Sequence, residues 1–185
     1  MIGRGLGRSY GDAAQNAGGT VVDATGLAEF TLDPATGLVT ASAGASIDAL
    51  LRGLVPRGHF VPVTPGTRFV TVGGAIAADI HGKNHHKVGS FCDHVRAVEL
   101  VLADGTRTTV GPEADPELFW ATAGGMGLTG LIERATFACP RIPSSRLLVD
   151  TDRAPDLDEA MRLLAEADRH DYSVAWIDLI ATGRA

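Results

Sequence analysis

Apolar residues recur along the chain with two spacings, one typical of short strands and the other of short helices. Alternating or continuous apolar runs predict strands, which we expect over residues 20–23, 30–32, 38–43, 59–63, 95–102, 106–110, 131–137 and 172–180. Apolar residues three and four positions apart predict helices, which we expect from Ser46 to about residue 56, from Thr71 to Asp79, over 117–122 and over 157–167. Hairpins interspersed with helices are typical of an α+β fold.

Glycine is concentrated in three parts of the chain. Sixteen of the 23 glycines fall within residues 3–19, 58–89 and 124–130. Glycine adopts positive φ readily and lets the backbone approach a ligand closely. One such cluster is typical of ordinary turns, but three clusters separated by regular elements indicate one ligand that several loops contact.

Lysine has an unusual distribution. The chain has fourteen arginines but only two lysines, Lys83 and Lys87, and both lie within residues 81–87, which also hold three of the six histidines. A cationic segment that contains glycine and many hydrogen-bond donors suits an anionic or polar ligand. An exposed basic loop without a ligand has the same composition.

The balance of charge and the cysteine count exclude several classes of protein. The net charge is -6, and residues 91–185 carry nine basic against sixteen acidic residues. A duplex nucleic acid needs a basic face, so we expect no nucleic-acid partner. Cys92 and Cys139 cannot form a disulfide framework. We expect no signal peptide, and no apolar run reaches the ~20 residues that a membrane span needs.

Two short motifs suggest other chemistries, but each lacks the context that its mechanism requires. Residues 125–130 fit G-x-G-x-x-G, yet a helix precedes them and a strand follows, which reverses the Rossmann order. Residues 7–11 fit G-x-S-x-G, with Asp79 and His81 downstream as partners for a hydrolase. The residues after this motif make a poor helix, whereas a nucleophile elbow is followed by one.

A third motif has the spacing of a metal site. His81 and His85 are four residues apart, as in a zinc-binding helix. Gly82 stands where the general-base glutamate of such a helix would lie, and it also lowers the helix propensity. We therefore expect no metal site.

The three glycine segments together resemble the FAD-binding domain of flavoenzymes of the vanillyl-alcohol-oxidase type. Residues 3–12 (GRGLGRSYGD) are similar to the pyrophosphate loop of that family. Residues 65–86 (PGTRFVTVGGAIAADIHGKNHH) are similar to its second flavin segment, and residues 118–132 (LFWATAGGMGLTGLI) to its third. The long second segment, which ends in HGKNHH, is highly specific, and essentially the whole chain resembles the branch that oxidises polyprenylphosphoryl ribose.

This resemblance implies a domain organisation. We expect an α+β, two-subdomain FAD-binding domain at residues 1–140, with subdomains of about 1–63 and 67–140. The start of an α+β substrate domain is expected at 141–185. The family has further residues before and after these segments, so we expect the chain to be part of a longer protein. We also expect that the 185-residue chain by itself does not turn over substrate.

The resemblance also implies which residues form the site. Residues 4–10 are expected to cradle the FAD diphosphate, Thr71–Gly74 to add N–H donors at a helix start, and Asp79–Asn84 to run along the isoalloxazine. The expected cofactor contacts are Arg4, Gly5, Leu6, Gly7, Arg8, Ser9, Tyr10, Pro65, Gly66, Thr71, Val72, Gly73, Gly74, Ala78, His81, Gly82, Asn84, Gly130 and Ile132. Catalytic roles are expected for His81, Lys83 and Tyr10. The loop carries no histidine, unlike relatives with covalent flavin, so we expect non-covalent FAD.

The activity implied by the resemblance is oxidation of the ribose C2 hydroxyl of a polyprenylphosphoryl-β-D-ribose to a keto sugar. The implied partners are this lipid-linked sugar phosphate and a reductase that completes epimerisation to the arabinose form. We expect a location at the cytoplasmic or periplasmic face of the inner membrane, in contact with the membrane surface. Two alternatives remain open: another FAD-dependent sugar or alditol oxidase, and a flavin-binding module without turnover.

Overall fold

The computed structural model describes residues 1–180 and contains short strands and helices in mixed order. The strands are β1 (Ile2–Arg4), β2 (Val21–Asp23), β3 (Phe30–Leu32), β4 (Leu38–Ser42), β5 (Val95–Val101), β6 (Arg107–Val110) and β7 (Leu131–Ala138). The helices are α1 (Ile47–Leu54), α2 (Val72–Ala77), α3 (His85–Val88), α4 (Pro116–Thr122) and α5 (Leu157–Ala167). The predicted α+β class is confirmed.

The strands form two sheets. β1 and β2 pair in parallel as a two-stranded sheet. The other five form an antiparallel sheet in the order β3-β4-β7-β5-β6, so β7 lies at its centre. Phe137 in β7 is fully buried and its ring lies 5.2 Å from that of Phe91. The core is therefore built on the central strand of the larger sheet.

Helix α1 shows how local sequence sets an element boundary. The Ser46 hydroxyl accepts a hydrogen bond from the backbone N–H of Ala49, which caps the helix start. Ile47, Leu50 and Leu54 recur at helical spacing and are fully buried. The predicted cap and helix are confirmed.

Two predicted strands are wrong, and two short elements were not predicted. Residues 59–63 form no strand, because Pro62 has no N–H to donate and only His59 makes an isolated bridge, to Arg141. Residues 172–180 form no regular strand, and most of their side chains are exposed. β1 and α3 lie in segments that we predicted as ligand loops.

The strand pairing does not follow the predicted subdomain division near residues 63–67. β3 and β4 precede that point and β5 to β7 follow it, yet all five share one sheet. The predicted division falls in the loop between α1 and α2, which holds Pro62 and Pro65. The change from one sheet to the other falls between β2 and β3. The assignment of 141–185 to a substrate domain stays a prediction, and 181–185 lie outside the described residues.

Within residues 1–180, no helix has both the length and the apolar character needed to cross a membrane.

The two cysteines provide a chemical test of this packing. Cys92 and Cys139 are free thiols that are 0% and 4% exposed. Burial raises the pKa of Cys139 to about 12. Burial, together with the nearby charge of Asp79, also raises the pKa of Cys92. The thiolate is the reactive form, so at about pH 8 a disulfide reagent should spare both cysteines in the folded chain.

In denaturant the same reagent should label both cysteines. Spectrophotometric counting of released thiolate gives the answer directly. Rapid labelling of either cysteine in the folded chain would contradict the buried positions.

Candidate functional site

The start of α2 is held tightly against the chain that leaves β4. The Thr71 hydroxyl caps the helix by accepting from the N–H of Gly74, at 3.2 Å. The N–H of Val72 donates to the Ala45 carbonyl at 2.9 Å, and that of Gly73 to the Ala43 carbonyl at 2.8 Å. A side chain at Gly73 would meet the Ala43 Cβ at 3.0 Å. Glycine at this position therefore permits the close packing that anchors α2.

The first glycine segment, residues 3–11, lies directly on this helix start. A Cβ at Gly5 would overlap the Thr71 side chain, and one at Gly3 would lie 2.6 Å from a methyl group of Leu131. Gly7 has a positive φ of 63°, which other residues rarely adopt. The first and second segments are thus in contact, and the first also reaches the third.

The same loop has an excess of hydrogen-bond donors. Within the described chain, the backbone N–H groups of residues 6–10 donate to no protein acceptor. The guanidinium of Arg4 packs beside Gly7, and Arg8 is exposed. Successive unpaired N–H groups near a cation are the features that bind an anionic oxygen cluster. This loop is suited to a diphosphate.

The third segment closes the other end of α2. The N–H of Gly124 donates to the Ile76 carbonyl at 3.0 Å, and that of Met126 to the Ala77 carbonyl at 2.8 Å. Met126 has a positive φ of 52°, which turns the chain so that this bond can form. All three glycine segments therefore meet around one short helix.

The His–Lys turn, residues 79–84, follows α2. His81 and Lys83 are exposed, and the His81 ring meets the His85 ring edge-on at 5.9 Å. A Cβ at Gly82 would lie 2.7 Å from the Thr64 carbonyl, so this glycine allows the turn to contact the loop that holds Pro65 and Gly66. The two predicted catalytic side chains of this turn are accessible.

Several of the predicted site residues have a different environment from the one expected. The N–H groups of residues 72–74 already donate to acceptors within the chain, whereas the resemblance implies that they donate to FAD. Donation from this helix start to the cofactor stays a prediction. Asn84 is only 4% exposed and directs its side-chain amide to the Pro62 carbonyl at 2.8 Å. Its side chain therefore braces the turn from inside. Tyr10 is 99% exposed.

Gly130 and Ile132 lie at the beginning of β7. Ile132 pairs with Leu100 of β5, and its side chain is 6% exposed. A Cβ at Gly130 would lie 2.7 Å from the Val101 carbonyl. Backbone contact with a ligand remains the predicted role of both residues.

The arrangement does not support the hydrolase or metal alternatives. The Asp79 carboxylate accepts from the Ser90 hydroxyl at 2.8 Å and from the Cys92 N–H at 3.0 Å, so it does not orient His81. Within residues 1–180 no hydrogen bond joins Ser9 to His81. The same residues contain no group of three His, Cys, Asp or Glu that could hold a metal ion.

Asp79 has an anchoring role that the sequence did not predict. It has a positive φ of 38° although it is not glycine, and both of its carboxylate oxygens accept hydrogen bonds. The available signal was its position after the short α2, where a helix usually ends in glycine.

These features fit FAD. The dinucleotide has a diphosphate, a flat ring system and an adenine, which need several separate backbone surfaces. The donor-rich loop at residues 6–10 suits the diphosphate. At Gly5, Gly73 and Gly82 an added Cβ would contact a neighbouring part of the chain, so glycine at these positions allows the backbone segments to pack closely. The exposed His–Lys turn directly follows α2 and offers polar groups to a ring system.

Comparisons with known proteins point the same way. Residues 1–111 match the family described as FAD binding domain. The chain is 49% identical, over 98% of its length, to decaprenylphosphoryl-beta-D-ribose oxidase of Mycolicibacterium smegmatis, of which it covers 40%. It is 31% identical over 76% of its length to cytokinin dehydrogenase 4 of Arabidopsis thaliana, of which it covers 28%.

A third relative is xylooligosaccharide oxidase of Thermothelomyces thermophilus, which is 30% identical over 66% of the chain. The chain covers 25% of that protein, so it spans about two fifths or less of the length of all three relatives. The family match takes in more than half of the chain and includes the first two glycine segments. The chain therefore belongs to the FAD-binding domain family, and FAD is its cofactor.

Proposed function

We propose that this protein is an FAD-dependent oxidoreductase that oxidises the ribose C2 hydroxyl of a polyprenylphosphoryl-β-D-ribose to the 2-keto sugar. The observation that carries the proposal is the meeting of three glycine segments around α2, with the His–Lys turn exposed beside them. The similarity to an oxidase of decaprenylphosphoryl ribose extends over 98% of the chain, including this turn.

The chemistry divides between the cofactor and the chain. When bound, FAD supplies the acceptor for a hydride from the sugar carbon. The donor-rich loop at residues 6–10 binds the diphosphate and so fixes the position of the ring system. Loss of a hydride from an alcohol carbon also requires removal of the hydroxyl proton. His81, with an exposed imidazole, is the group of the turn to which we assign the acceptance of this proton.

Lys83 has a separate electrostatic role in this proposal. Its ammonium group is exposed, and it lies two residues from His81 on the same turn. A cation held beside a group that gains negative charge lowers the barrier to that change. Lys83 could alternatively bind the phosphate of the substrate as a point charge with three donors. Tyr10, whose side chain is 99% exposed, is the third residue of the proposed catalytic set.

The proposed substrate determines the proposed partners. The keto sugar needs a reductase to become the arabinose form, and this arabinose donor would serve cell-wall arabinan synthesis. Because the substrate carries a lipid tail, we propose that the protein works at the cytoplasmic or periplasmic face of the inner membrane.

Substrate identity can be tested by anaerobic flavin bleaching. The full-length protein, loaded with FAD, should lose its yellow colour with polyprenylphosphoryl-β-D-ribose and not with free ribose, xylitol or a xylooligosaccharide. The reason is that the proposed substrate differs from these by its lipid phosphate. Bleaching by an unlinked sugar or alditol at equal or greater rate would instead favour the second candidate, a sugar or alditol oxidase.

The mode of FAD attachment can be tested by acid precipitation. No histidine or cysteine lies within residues 3–12, so the loop has no side chain of the kind that usually carries covalent flavin. We expect all of the flavin absorbance in the supernatant after precipitation. Flavin that stays with the washed pellet would contradict non-covalent binding.

The role of Lys83 can be tested with Lys83→Met in the full-length protein. We expect the flavin reduction rate to fall by about tenfold to a hundredfold, because a cation near the developing charge is lost. FAD content and KM should stay unchanged. Lys87→Met is the matched control, since Lys87 is also exposed but lies on α3, and it should match wild type in all three quantities.

The three measurements separate the alternatives for Lys83. A raised KM with an unchanged reduction rate would assign this lysine to the substrate phosphate. Wild-type values in all three would show that Lys83 has no part in the reaction.

A further inference from the structure

The His–Lys turn presents its exposed side chains from a backbone that is fixed at both ends. The turn begins at Asp79, directly after the C-cap of α2, and ends at Asn84, directly before α3. Between these two residues lie His81 and Lys83, which are exposed. Side chains on a turn of this length keep a fixed direction only if the two ends are held.

The first end is held by the Asp79 carboxylate. One oxygen accepts from the Ser90 hydroxyl at 2.8 Å, and the other accepts from the N–H of Cys92 at 3.0 Å. Cys92 is fully buried, so this bond ties the turn to the core. The N–H of Phe91 also donates to the Ile80 carbonyl at 2.9 Å. The beginning of the turn is thus joined to the buried segment that leads into β5.

The backbone of Asp79 makes this arrangement unusual. Its φ of 38° lies in the left-handed region, which is unfavourable for most residues other than glycine, asparagine and aspartate. At Gly58 and Gly124, which also follow a helix and have positive φ, the chain has glycine instead. At Asp79 the two hydrogen bonds that the carboxylate accepts offset the cost of this backbone conformation.

The second end is held by Asn84, which is 4% exposed. Its side-chain amide donates to the Pro62 carbonyl at 2.8 Å. The Lys83 carbonyl, one residue earlier, accepts from the N–H of Ser173 at 2.9 Å. The end of the turn is therefore attached both to the loop before Pro65 and to the chain after α5.

We propose that Asp79, with Asn84 as the second anchor, is a positioning residue that sets the direction of His81 and Lys83 toward the bound flavin. This inference rests on the proposed function, because it assigns the turn to the isoalloxazine. Asp79 acts through the backbone of the turn and does not touch the cofactor. Neither residue is a proton donor or acceptor in the reaction.

The test compares Asp79→Gly with Asp79→Asn in the FAD-loaded protein. Glycine relieves the backbone strain but removes both hydrogen bonds, whereas asparagine tolerates the left-handed region and keeps one acceptor oxygen. The matched control is Asp115→Gly. Asp115 also has a positive φ, of 55°, and its carboxylate accepts from the N–H of Leu118 at 3.2 Å at the start of α4.

Three quantities are measured: the melting temperature, the FAD dissociation constant from fluorescence quenching, and the visible circular dichroism of the flavin at saturation. For Asp79→Gly we expect the affinity for FAD to be about tenfold weaker, which is the size of effect that one lost hydrogen bond to a charged group produces. We also expect an altered dichroism band of the flavin. Asp79→Asn should restore both toward wild type. Asp115→Gly should change the melting temperature alone. Asn84→Ala should reproduce the changed dichroism from the other end of the turn.

Two results would overturn the inference. One is Asp79→Gly with a lowered melting temperature but wild-type affinity and dichroism, which is the behaviour of a purely structural residue. The other is that Asp79→Asn has the same weakened FAD affinity and altered dichroism as Asp79→Gly. That result would show that the negative charge of Asp79 matters and that its hydrogen bonds to the core do not. If the wild-type protein holds flavin but does not oxidise the lipid-linked ribose, the proposed substrate fails and the role of Asp79 stands.

Discussion

Helix α2 is stable only because other parts of the chain bond to both of its ends. It has six residues, and an isolated helix of that length does not form in water. The carbonyls of Ala43 and Ala45 accept hydrogen bonds from its start, and the N–H groups of Gly124 and Met126 donate to its end. Each bond contributes only about 1 kcal/mol net, but breaking one would leave a buried polar group without a partner. These main-chain bonds place three distant segments of sequence around one point.

The glycines make this convergence possible by their lack of a side chain. At Gly5, Gly73 and Gly82 a Cβ would meet a neighbouring residue of another segment. Two of those neighbours are Thr71 and Ala43, which belong to the anchoring of α2 itself. The requirement for glycine is therefore mutual packing of the loops as well as space for a ligand.

The local elements could be predicted from sequence wherever one short pattern decided them. Ser46 and the apolar spacing after it define α1, and the same reasoning gives α5 its bounds at Leu157 and Ala167. The pattern failed at 172–180, because β-branched and aromatic residues favour a strand but no partner strand lies beside them. α3 was missed because Gly82 and Asn84 argue against a helix, yet the helix begins only after them.

The sequence was sufficient to predict which segments form the candidate site. It was not sufficient to predict which hydrogen bonds these segments make. The three motifs identify which parts of the chain meet, but they do not show which N–H groups stay unpaired. Val72 and Gly73 donate to their own chain, whereas residues 6–10 do not. Asn84 faces inward for a similar reason, since a buried amide needs a partner and the Pro62 carbonyl is in reach. Such outcomes depend on tertiary contacts that no short window of sequence contains.

The central position of β7 has a consequence for the order of folding. β3 with β4, and β5 with β6, are hairpins of neighbouring strands that can form early, because little chain entropy is lost in closing them. Only β7, the last strand within residues 1–180, joins the two hairpins into one sheet. The segment just before β7 also supplies the bonds that close the end of α2. During synthesis the cofactor pocket therefore cannot be completed until the whole sheet has left the ribosome, so flavin capture would mark the end of folding of this domain.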